Sequence, residues 1–341
     1  MTRAPRKEPV EQPSLFADPD GLRPDVQPLD DPEAERLAQA VPDWIHLGPS
    51  TWTFPGWAGL VYAGRPSQSA LVRSGLFACS RYPLFRTVGI DRSFYSPLTP
   101  EELSEYSKQL PPGFPCIAKM WDEVTTCVFP RHPRQGARAG LKNPRFLDGA
   151  TAAEVIAPYL THFADHLGAI LFELSPSLPE DLPSPIEFAR RLDVLLSMLP
   201  IGPRYAFELR NRDLLTPRYL DTLRAHGAAH VLSEWTAMPP LGEQLAIPNL
   251  ITAPFAICRL SLPPGARYEE RSAQMAPFDQ LKDPRPPLRA DLISLFRQCA
   301  KRQPEPTRPV FVLFNNNVEG CSPLSVKALA REIARVRKRP V

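Results

Sequence analysis

Charged side chains stand where an apolar segment of the sequence ends. The segment 204–210 is apolar from Tyr205 to Phe207 and closes with Glu208 and Arg210. A parallel strand buried on both faces is apolar along most of its length, so charge at its carboxyl end indicates a rim that a ligand can reach. Glu208 and Arg210 are two residues apart and therefore lie on the same side of a strand. A structural ion pair above a core is the alternative interpretation, and this segment alone leaves both open.

The same pattern follows other apolar segments that are distant in the sequence. Where the carboxyl ends of such segments meet, their polar residues form one site, because buried ionisable groups need partners or a ligand. A carboxylate beside cations is ionised near neutral pH, which favours a base role for Glu208. The predicted catalytic residues are Asp91, Lys119, Glu173 and Glu208. The predicted ligand-binding residues are Trp52, Tyr95, Arg210, Glu234, Arg259, Asn315, Asn316 and Asn317.

Several of these residues have a structural interpretation as well. Lys119 stands inside an apolar segment and is also consistent with a core lysine neutralised by a glutamate. Glu234 is consistent with a residue that only closes the rim. Trp52 and Tyr95 suit either apolar lids or stacking on a planar or sugar-like ligand. The three asparagines that begin at Asn315 either hold a phosphate at a helix N-terminus or form a turn.

Eight apolar segments alternate with amphipathic ones, which is the pattern of a parallel α/β protein. Eight strands in roughly 300 residues match a (β/α)8 barrel, whose ligands bind at the carboxyl ends of the strands. We therefore predict an α/β fold, a (β/α)8 TIM-type barrel in a single domain over residues 43–341, with an irregular segment at 236–253. The predicted strands are 45–51, 87–94, 115–121, 169–174, 204–210, 230–235, 255–261 and 310–316. The predicted helices are 100–110, 152–167, 185–199, 217–226, 289–301 and 323–337.

Residues 1–42 are rich in Pro, Asp and Glu and lack apolar periodicity, which predicts a disordered arm. Within it, Gln12-Pro13-Ser14-Leu15-Phe16 resembles the pentapeptide with which bacterial DNA-repair and replication proteins dock on the sliding clamp. Pro13 departs from the usual leucine. An extended arm can place a Leu-Phe pair in a preformed pocket, so Gln12, Leu15 and Phe16 are candidate clamp-binding residues. The alternative is an arm with two exposed apolar residues.

Composition excludes some classes of partner. Lys+Arg 40 against Asp+Glu 37 gives a formal charge of +3, too small to imply nucleic-acid or membrane binding by bulk electrostatics. The six cysteines are scattered singly, which is typical of reduced thiols in a cytoplasmic protein. His162 and His166 are four apart on a predicted outer helix, which faces solvent, so we predict no metal site. The charged N-terminal residues lack an apolar core segment, so we expect them not to be a secretory signal, and no run of about 18 apolar residues predicts a membrane span.

A string of short motifs resembles the YecE-like family of bacterial proteins, a domain of unknown function. The motifs are Trp52-Thr53-Phe54-Pro55-Gly56-Trp57, Ser93-Phe94-Tyr95, Ala118-Lys119, Leu167-Gly168-Ala169-Ile170-Leu171-Phe172-Glu173-Leu174, Phe207-Glu208-Leu209-Arg210, Ala253-Pro254-Phe255-Ala256 and Phe314-Asn315-Asn316-Asn317. The match runs over residues 45–333, and the resemblance implies a TIM barrel. The activity of that family is unassigned, so the resemblance transfers no catalytic residue and no cofactor.

The chain also departs from the pattern of that family. Asp91 ends a Gly-Ile-Asp sequence where the family usually has Glu-Ile-Asn, and Glu173 replaces a glutamine. Thr126 and Asn211 each stand where a histidine is common. These differences indicate a divergent member with altered or lost chemistry.

Three functions are consistent with the sequence. The first is an enzyme, a hydrolase or lyase of unknown specificity, that binds a phosphorylated or nucleotide-like ligand, a small anion held by Lys119, Arg210, Arg259 and the asparagines. The second is nuclease action on DNA, drawn from fold analogy with endonuclease IV barrels, which is a weak argument. The third is a DNA-repair-associated binding module tethered to the sliding clamp. The sequence specifies no cofactor for any of them.

Overall fold

The computed structural model describes residues 24–131, 133–301 and 308–337. Eight parallel strands form one sheet in the order β1-β8-β7-β6-β5-β4-β3-β2. A hydrogen bond of 2.8 Å from Arg86 N to Leu47 O brings β1 beside the segment before β2, so the sheet curls into a nearly closed barrel. This confirms the predicted (β/α)8 fold. The strands are β1 Ile45–Pro49, β2 Val88–Ile90, β3 Cys116–Lys119, β4 Leu167–Glu173, β5 Tyr205–Glu208, β6 Ala229–Glu234, β7 Ala256–Leu260 and β8 Val310–Phe314.

Helices surround the strands. They are α1 Pro32–Ala40, α2 Gln68–Cys79, α3 Pro100–Gln109, α4 Asp122–Thr125, α5 Gly149–His162, α6 Pro185–Met198, α7 Pro217–Ala225, α8 Leu241–Leu245, α9 Tyr268–Met275, α10 Pro286–Lys301 and α11 Ser322–Arg337. Short 3-10 helices occupy Pro55–Trp57, Arg92–Phe94, Pro133–Arg138, Ala164–His166, Pro179–Asp181 and Arg212–Leu214. Helix α3 begins with a capping box between Thr99 and Glu102, and α7 begins with a Thr216 cap. Both starts agree with the sequence, since Pro at the first helical position needs no hydrogen-bond acceptor.

The alternation of strand residues separates two layers of core. Residues of one parity fill the barrel interior, among them Ile117, Leu171, Val231, Ile257 and Phe311. Residues of the other parity pack outward against the helices in a larger cluster. Because successive strand side chains point to opposite faces, the inward position continues to the carboxyl end of each strand. The parity of the core therefore decides which terminal polar residues reach the barrel mouth.

Two glycines permit the close approach of β1 and β2. A Cβ atom on Gly48 would lie 1.8 Å from Thr87 O, and one on Gly89 would lie 2.3 Å from Ser50 O. Both distances are far below van der Waals contact, so any side chain there would push the two strands apart. Gly48 and Gly89 are the inward-facing residues at this seam, in register with Leu313 and Ile117 of the interior layer.

Part of the predicted disordered arm is folded. The prediction of disorder over residues 1–42 is wrong for Pro32–Ala40, which form α1 against α11. Asp31 caps α1 by accepting from Ala34 N at 3.0 Å, and its carboxylate also contacts Lys327 Nζ at 2.8 Å. Helix α1 therefore starts as α3 and α7 do, with a capping side chain before a proline, and both buried Ala34 and the ion pairs to α11 hold it in place. The candidate clamp-binding residues Gln12, Leu15 and Phe16 lie outside the described residues.

Several element boundaries also differ from the prediction. The second strand ends at Ile90 because a 3-10 turn, Arg92–Phe94, follows where strand was predicted to residue 94. Helices α2 and α9 were not predicted. The segment predicted to be irregular holds only the five-residue helix α8. No helix within the described ranges has the length and apolar character needed to cross a bilayer.

Replacement of Gly48 tests the barrel seam. Gly48→Ala should lower the free energy of unfolding by at least about 3 kcal/mol, because the added methyl group collides with the Thr87 carbonyl. Urea denaturation followed by circular dichroism measures the loss. Gly168→Ala is the matched control, since its nearest atom lies at 3.0 Å and a small shift relieves the contact. Equal losses in the two variants would contradict the seam argument.

Replacement of Asp31 tests the docking of α1. The pKa of Asp31 lies below its usual value because bonds from Lys327, Ala34 and Tyr82 outweigh the effect of burial, which raises it. This stabilisation is fully present above about pH 4 and is lost as the pH falls towards the lowered pKa. Asp31→Asn should cost about 1–2 kcal/mol at pH 7. In urea titrations at several pH values, the difference from the wild type should shrink below pH 4; a constant difference would refute the ion-pair account.

Candidate active site at the barrel mouth

A small cleft opens at the carboxyl ends of the strands. Its volume is about 180 Å³. Strands and loops from β2 to β8 supply its walls, so residues far apart in sequence meet here as predicted for this fold. The lining residues are Asp91, Tyr95, Lys119, Glu173, Arg210, Trp235, Arg259, Ser261, Tyr268 and Asn315.

Three cations of this cleft contact the carboxylate of Glu173. Its Oε2 atom lies 2.9 Å from Lys119 Nζ and 3.2 Å from Arg210 Nη2. Arg259 Nη1 donates a further hydrogen bond to the same oxygen. The three cations come from β3, the end of β5, and β7, so one carboxylate oxygen collects positive charge from three separate strands.

Glu208 contacts the same two arginines from a fully buried position. Its carboxylate is fully buried and accepts a 2.7 Å hydrogen bond at Oε2 from Arg259 Nη1. Its Oε1 atom lies 2.9 Å from Arg210 Nε in an ion pair that is not aligned as a hydrogen bond. Asp91 completes the cluster at 2.9 Å from Lys119 Nζ. The mouth cluster therefore pairs three cations with three carboxylates and carries no formal net charge.

These contacts shift the pKa values of Glu173 and Arg259. Burial raises the pKa of Glu173, but the charges of Arg210, Arg259 and Lys119 lower it further, and the net result lies well below the usual value. Burial lowers the pKa of Arg259, but Glu173 and Glu208 raise it above its usual value. Glu173 is consequently ionised at neutral pH and cannot donate a proton as a general acid.

Aromatic rings form the upper wall of the cleft. The Trp235 ring stacks on the guanidinium of Arg210, with the Cζ atom 3.5 Å from the ring centroid. Tyr95 and Tyr268 project further out, and 71% and 54% of their surfaces are exposed. Exposed rings above a charged floor suit a ligand that has a planar face.

Two polar atoms of the cleft have capacity left for a ligand. Ser261 is 6% exposed, yet its Oγ atom has no hydrogen-bond partner among the described residues. The same holds for Trp235 Nε1 in the part of the chain that the structure describes. Buried polar groups without partners are costly, so a bound ligand that pairs with them gains their hydrogen bonds.

Seven of the predicted site residues line the cleft. They are Asp91, Tyr95, Lys119, Glu173, Arg210, Arg259 and Asn315. Glu208 lies directly beneath them. Glu234, in contrast, points outward, where Arg285 Nη1 lies 2.6 Å from its Oε2 and Leu241 N donates to its Oε1. Its parity along β6 is that of the outer core, and this explains its exclusion from the mouth.

The remaining predicted residues support loops. Asn316 Oδ1 accepts from Ser322 N at 2.8 Å, which caps α11, and from Trp57 Nε1 at 3.3 Å. Asn317 is buried, and its carbonyl oxygen accepts from Arg271 Nε at 2.8 Å. Trp52 is buried and packs edge-on against Tyr106. These positions give the two asparagines a turn-forming role, one of the alternatives that the sequence left open.

The sequence analysis did not select Trp235, Ser261 and Tyr268 as site residues. Strand parity contains the signal for the first two, since Trp235 lies two residues beyond Ser233 and Ser261 two beyond Arg259 on inward-facing positions. Tyr268 starts α9 after the loop that follows β7, and a loop at the carboxyl end of a barrel strand is expected near the mouth. Within the described ranges, no group of three or more His, Cys, Asp or Glu side chains is arranged to hold a metal ion.

The fold and the mouth cluster define a (β/α)8 barrel protein with a charged cleft at the carboxyl ends of its strands. A family model described as "Protein of unknown function DUF72" matches residues 46–340, and the chain belongs to this family. This is the family that the sequence motifs resemble. No curated protein gives a significant match to the sequence.

Two solved structures of DUF72 family proteins have a similar fold. One, from Enterococcus faecalis V583, is 18% identical, with a TM-score of 0.56 over 85% of this chain and 95% of that chain. The other, from Thermotoga maritima MSB8, is 19% identical, with a TM-score of 0.54 over 85% of this chain and 98% of that chain. At these identities the likeness establishes the barrel alone.

Removal of Glu208 tests the support of the cluster. Glu208→Ala should lower the free energy of unfolding by about 3–5 kcal/mol, because it leaves Arg210 and Arg259 buried with one carboxylate fewer. Glu208→Gln should cost less, since it keeps the volume. As a control, Glu187→Ala on the exposed face of α6 should barely move the urea midpoint, because surface ion pairs contribute little. A Glu208→Ala midpoint equal to that of the control would contradict a supporting role.

Proposed function

We propose that the protein is an enzyme, a hydrolase or lyase, whose barrel mouth binds a small phosphorylated or nucleotide-like ligand. The observation that carries the proposal is the convergence of Lys119, Arg210 and Arg259 on one point at the floor of the cleft. Preorganised cations in a site of low water content stabilise an anionic group and any negative charge that develops on it.

Binding of an anion by a neutral cluster requires local exchange of partners. Asp91 contacts Lys119 through one oxygen, and its side chain is 27% exposed, more than that of Glu173 or Glu208. The approach of a ligand anion to Lys119 weakens this pair and leaves Asp91 beside the ligand as a carboxylate. We therefore assign the general-base role to Asp91 in place of Glu208, whose complete burial suits a positioning role.

The wall of the cleft supplies the recognition of the remainder of the ligand. Tyr95 and Tyr268 offer ring faces for a nucleobase or a sugar, because both are exposed above the cations. Trp235 Nε1 donates a hydrogen bond, and Ser261 Oγ either donates or accepts one. A ring with polar substituents and one phosphate group matches these features together, which supports a nucleotide-like ligand.

Loss of Lys119 tests this function. The ligand is sought by native mass spectrometry of purified protein and by calorimetric titration with nucleoside monophosphates and sugar phosphates. Lys119→Met should weaken binding by about 10- to 100-fold, since it removes one charge-assisted contact. Lys108→Met on α3 is the matched control and should leave binding unchanged, because this lysine pairs with Glu105 on an exposed face. Equal affinities in all three proteins, or no ligand in the wild type, would overturn the proposal.

The two other functions remain proposals without a contact that favours them. Clamp tethering depends on Gln12, Leu15 and Phe16, which lie outside the described residues, and endonuclease IV-like action on DNA rests on fold analogy. Capture of the purified sliding clamp by the intact chain, and incision of abasic DNA, measure them directly. We rank the ligand-binding enzyme first because the residues it needs converge.

A further inference from the structure

The position of Glu173 resembles that of a bound anion. Three cations from three strands contact its Oε2 atom, at 2.9 Å for Lys119, at 3.2 Å for Arg210 and through a hydrogen bond from Arg259. Such a point has the positive charge and the donor directions that a phosphate oxygen requires. The occupant of the point in this chain is one of its own carboxylates.

Exposure distinguishes Glu173 from the carboxylate beneath it. The Glu173 side chain is 14% exposed and lines the cleft, whereas that of Glu208 is fully buried. Because Glu173 lines the cleft, its carboxylate can rotate into that volume without opening the barrel interior. Glu208 has no such path, and Arg210 and Arg259 keep it as a partner whether or not Glu173 is in place.

An independent feature indicates that a ligand belongs at this point. Ser261 Oγ is buried within the same cleft and has no hydrogen-bond partner in the described part of the chain. A polar atom in this situation is costly unless a ligand pairs with it. This hydroxyl group follows Arg259 at the end of β7 and lines the same cleft as the three cations.

We propose that Glu173 occupies the position taken by the oxyanion of the ligand, and that ligand binding exchanges this internal carboxylate for a phosphate group. The inference rests on the proposed function, since it assigns the anionic end of that ligand to one point. With Glu173 turned away, three cations face two carboxylates, Asp91 and Glu208, and the excess positive charge attracts the phosphate. Glu173 thereby keeps the empty site neutral and sets the affinity for anions.

Removal of the internal carboxylate should open the site to simple anions. Calorimetry with inorganic phosphate as the probe compares the wild type with Glu173→Ala, which removes both charge and volume, and with Glu173→Gln, which removes the charge alone. Glu173→Ala should bind phosphate at least about tenfold more tightly than the wild type, with Glu173→Gln between them, and both gains should fall as salt rises. Glu173→Gln keeps the side-chain shape and serves if Glu173→Ala does not fold.

Glu234→Gln is the matched control for this experiment. It removes a buried carboxylate from the end of β6, two strands from β4 in the sheet and on the face away from the mouth, and should leave phosphate affinity unchanged. No gain in either folded Glu173 variant, or an equal gain in Glu234→Gln, would overturn the inference. If ligand binding depends on Lys119 but the Glu173 variants bind phosphate no more tightly than the wild type, the exchange is refuted and the proposed function is not.

If the Glu173 variants bind phosphate more tightly but no ligand or turnover is found, the enzyme function is refuted and the anion site at Glu173 is supported.

Discussion

Two carboxylates side by side within a barrel can remain ionised only if cations lie against both. Glu173 and Glu208 occupy paired positions in the register of β4 and β5. Like charges at this distance repel strongly at low dielectric, and burial adds to the cost. Arg210 and Arg259 each contact both carboxylates and offset the repulsion. Every chemical property of the mouth depends on this arrangement.

The pairing of cations with carboxylates determines which ligands the barrel mouth can bind. A cluster with balanced charges attracts no anion at long range, so its selectivity has to arise from exchange of partners at short range. The exposed groups, Asp91 and Glu173, take part in that exchange, while Glu208 keeps the arginines in place. The buried carboxylate thus keeps the arginines in place, while the two carboxylates that line the cleft can exchange partners with a ligand.

The barrel supplies the rigidity that such a cluster needs. Gly48 and Gly89 allow β1 and β2 to approach, and the interior layer of apolar side chains lies directly below the charges. The loop that carries Tyr268 is tied down as well, because Arg271 donates to the carbonyl oxygens of Asn317 and Val318. Aromatic residues at the rim are thus fixed relative to the cations beneath them.

The alternation of apolar and amphipathic segments predicted the fold, all eight strands and the rim that carries the polar residues. Strand parity, had it been applied to each strand end, would also have moved Glu234 to the outer face and brought Trp235 into the site. Helix α1 was not predicted, although Asp31 and Pro32 form a helix start of the same kind as Thr99 and Pro100. Its ion pairs with α11 come only from the tertiary structure.

The sequence by itself determined most of the strand-end residues that line the mouth, since the period of two along a strand and the strand ends are local properties. Only the tertiary structure decided that Glu208 lies fully buried and Glu173 at the wall of the cleft, and which cation contacts which carboxylate. Depth within a barrel depends on the stagger between neighbouring strands, and that stagger is set by the closure of the whole sheet.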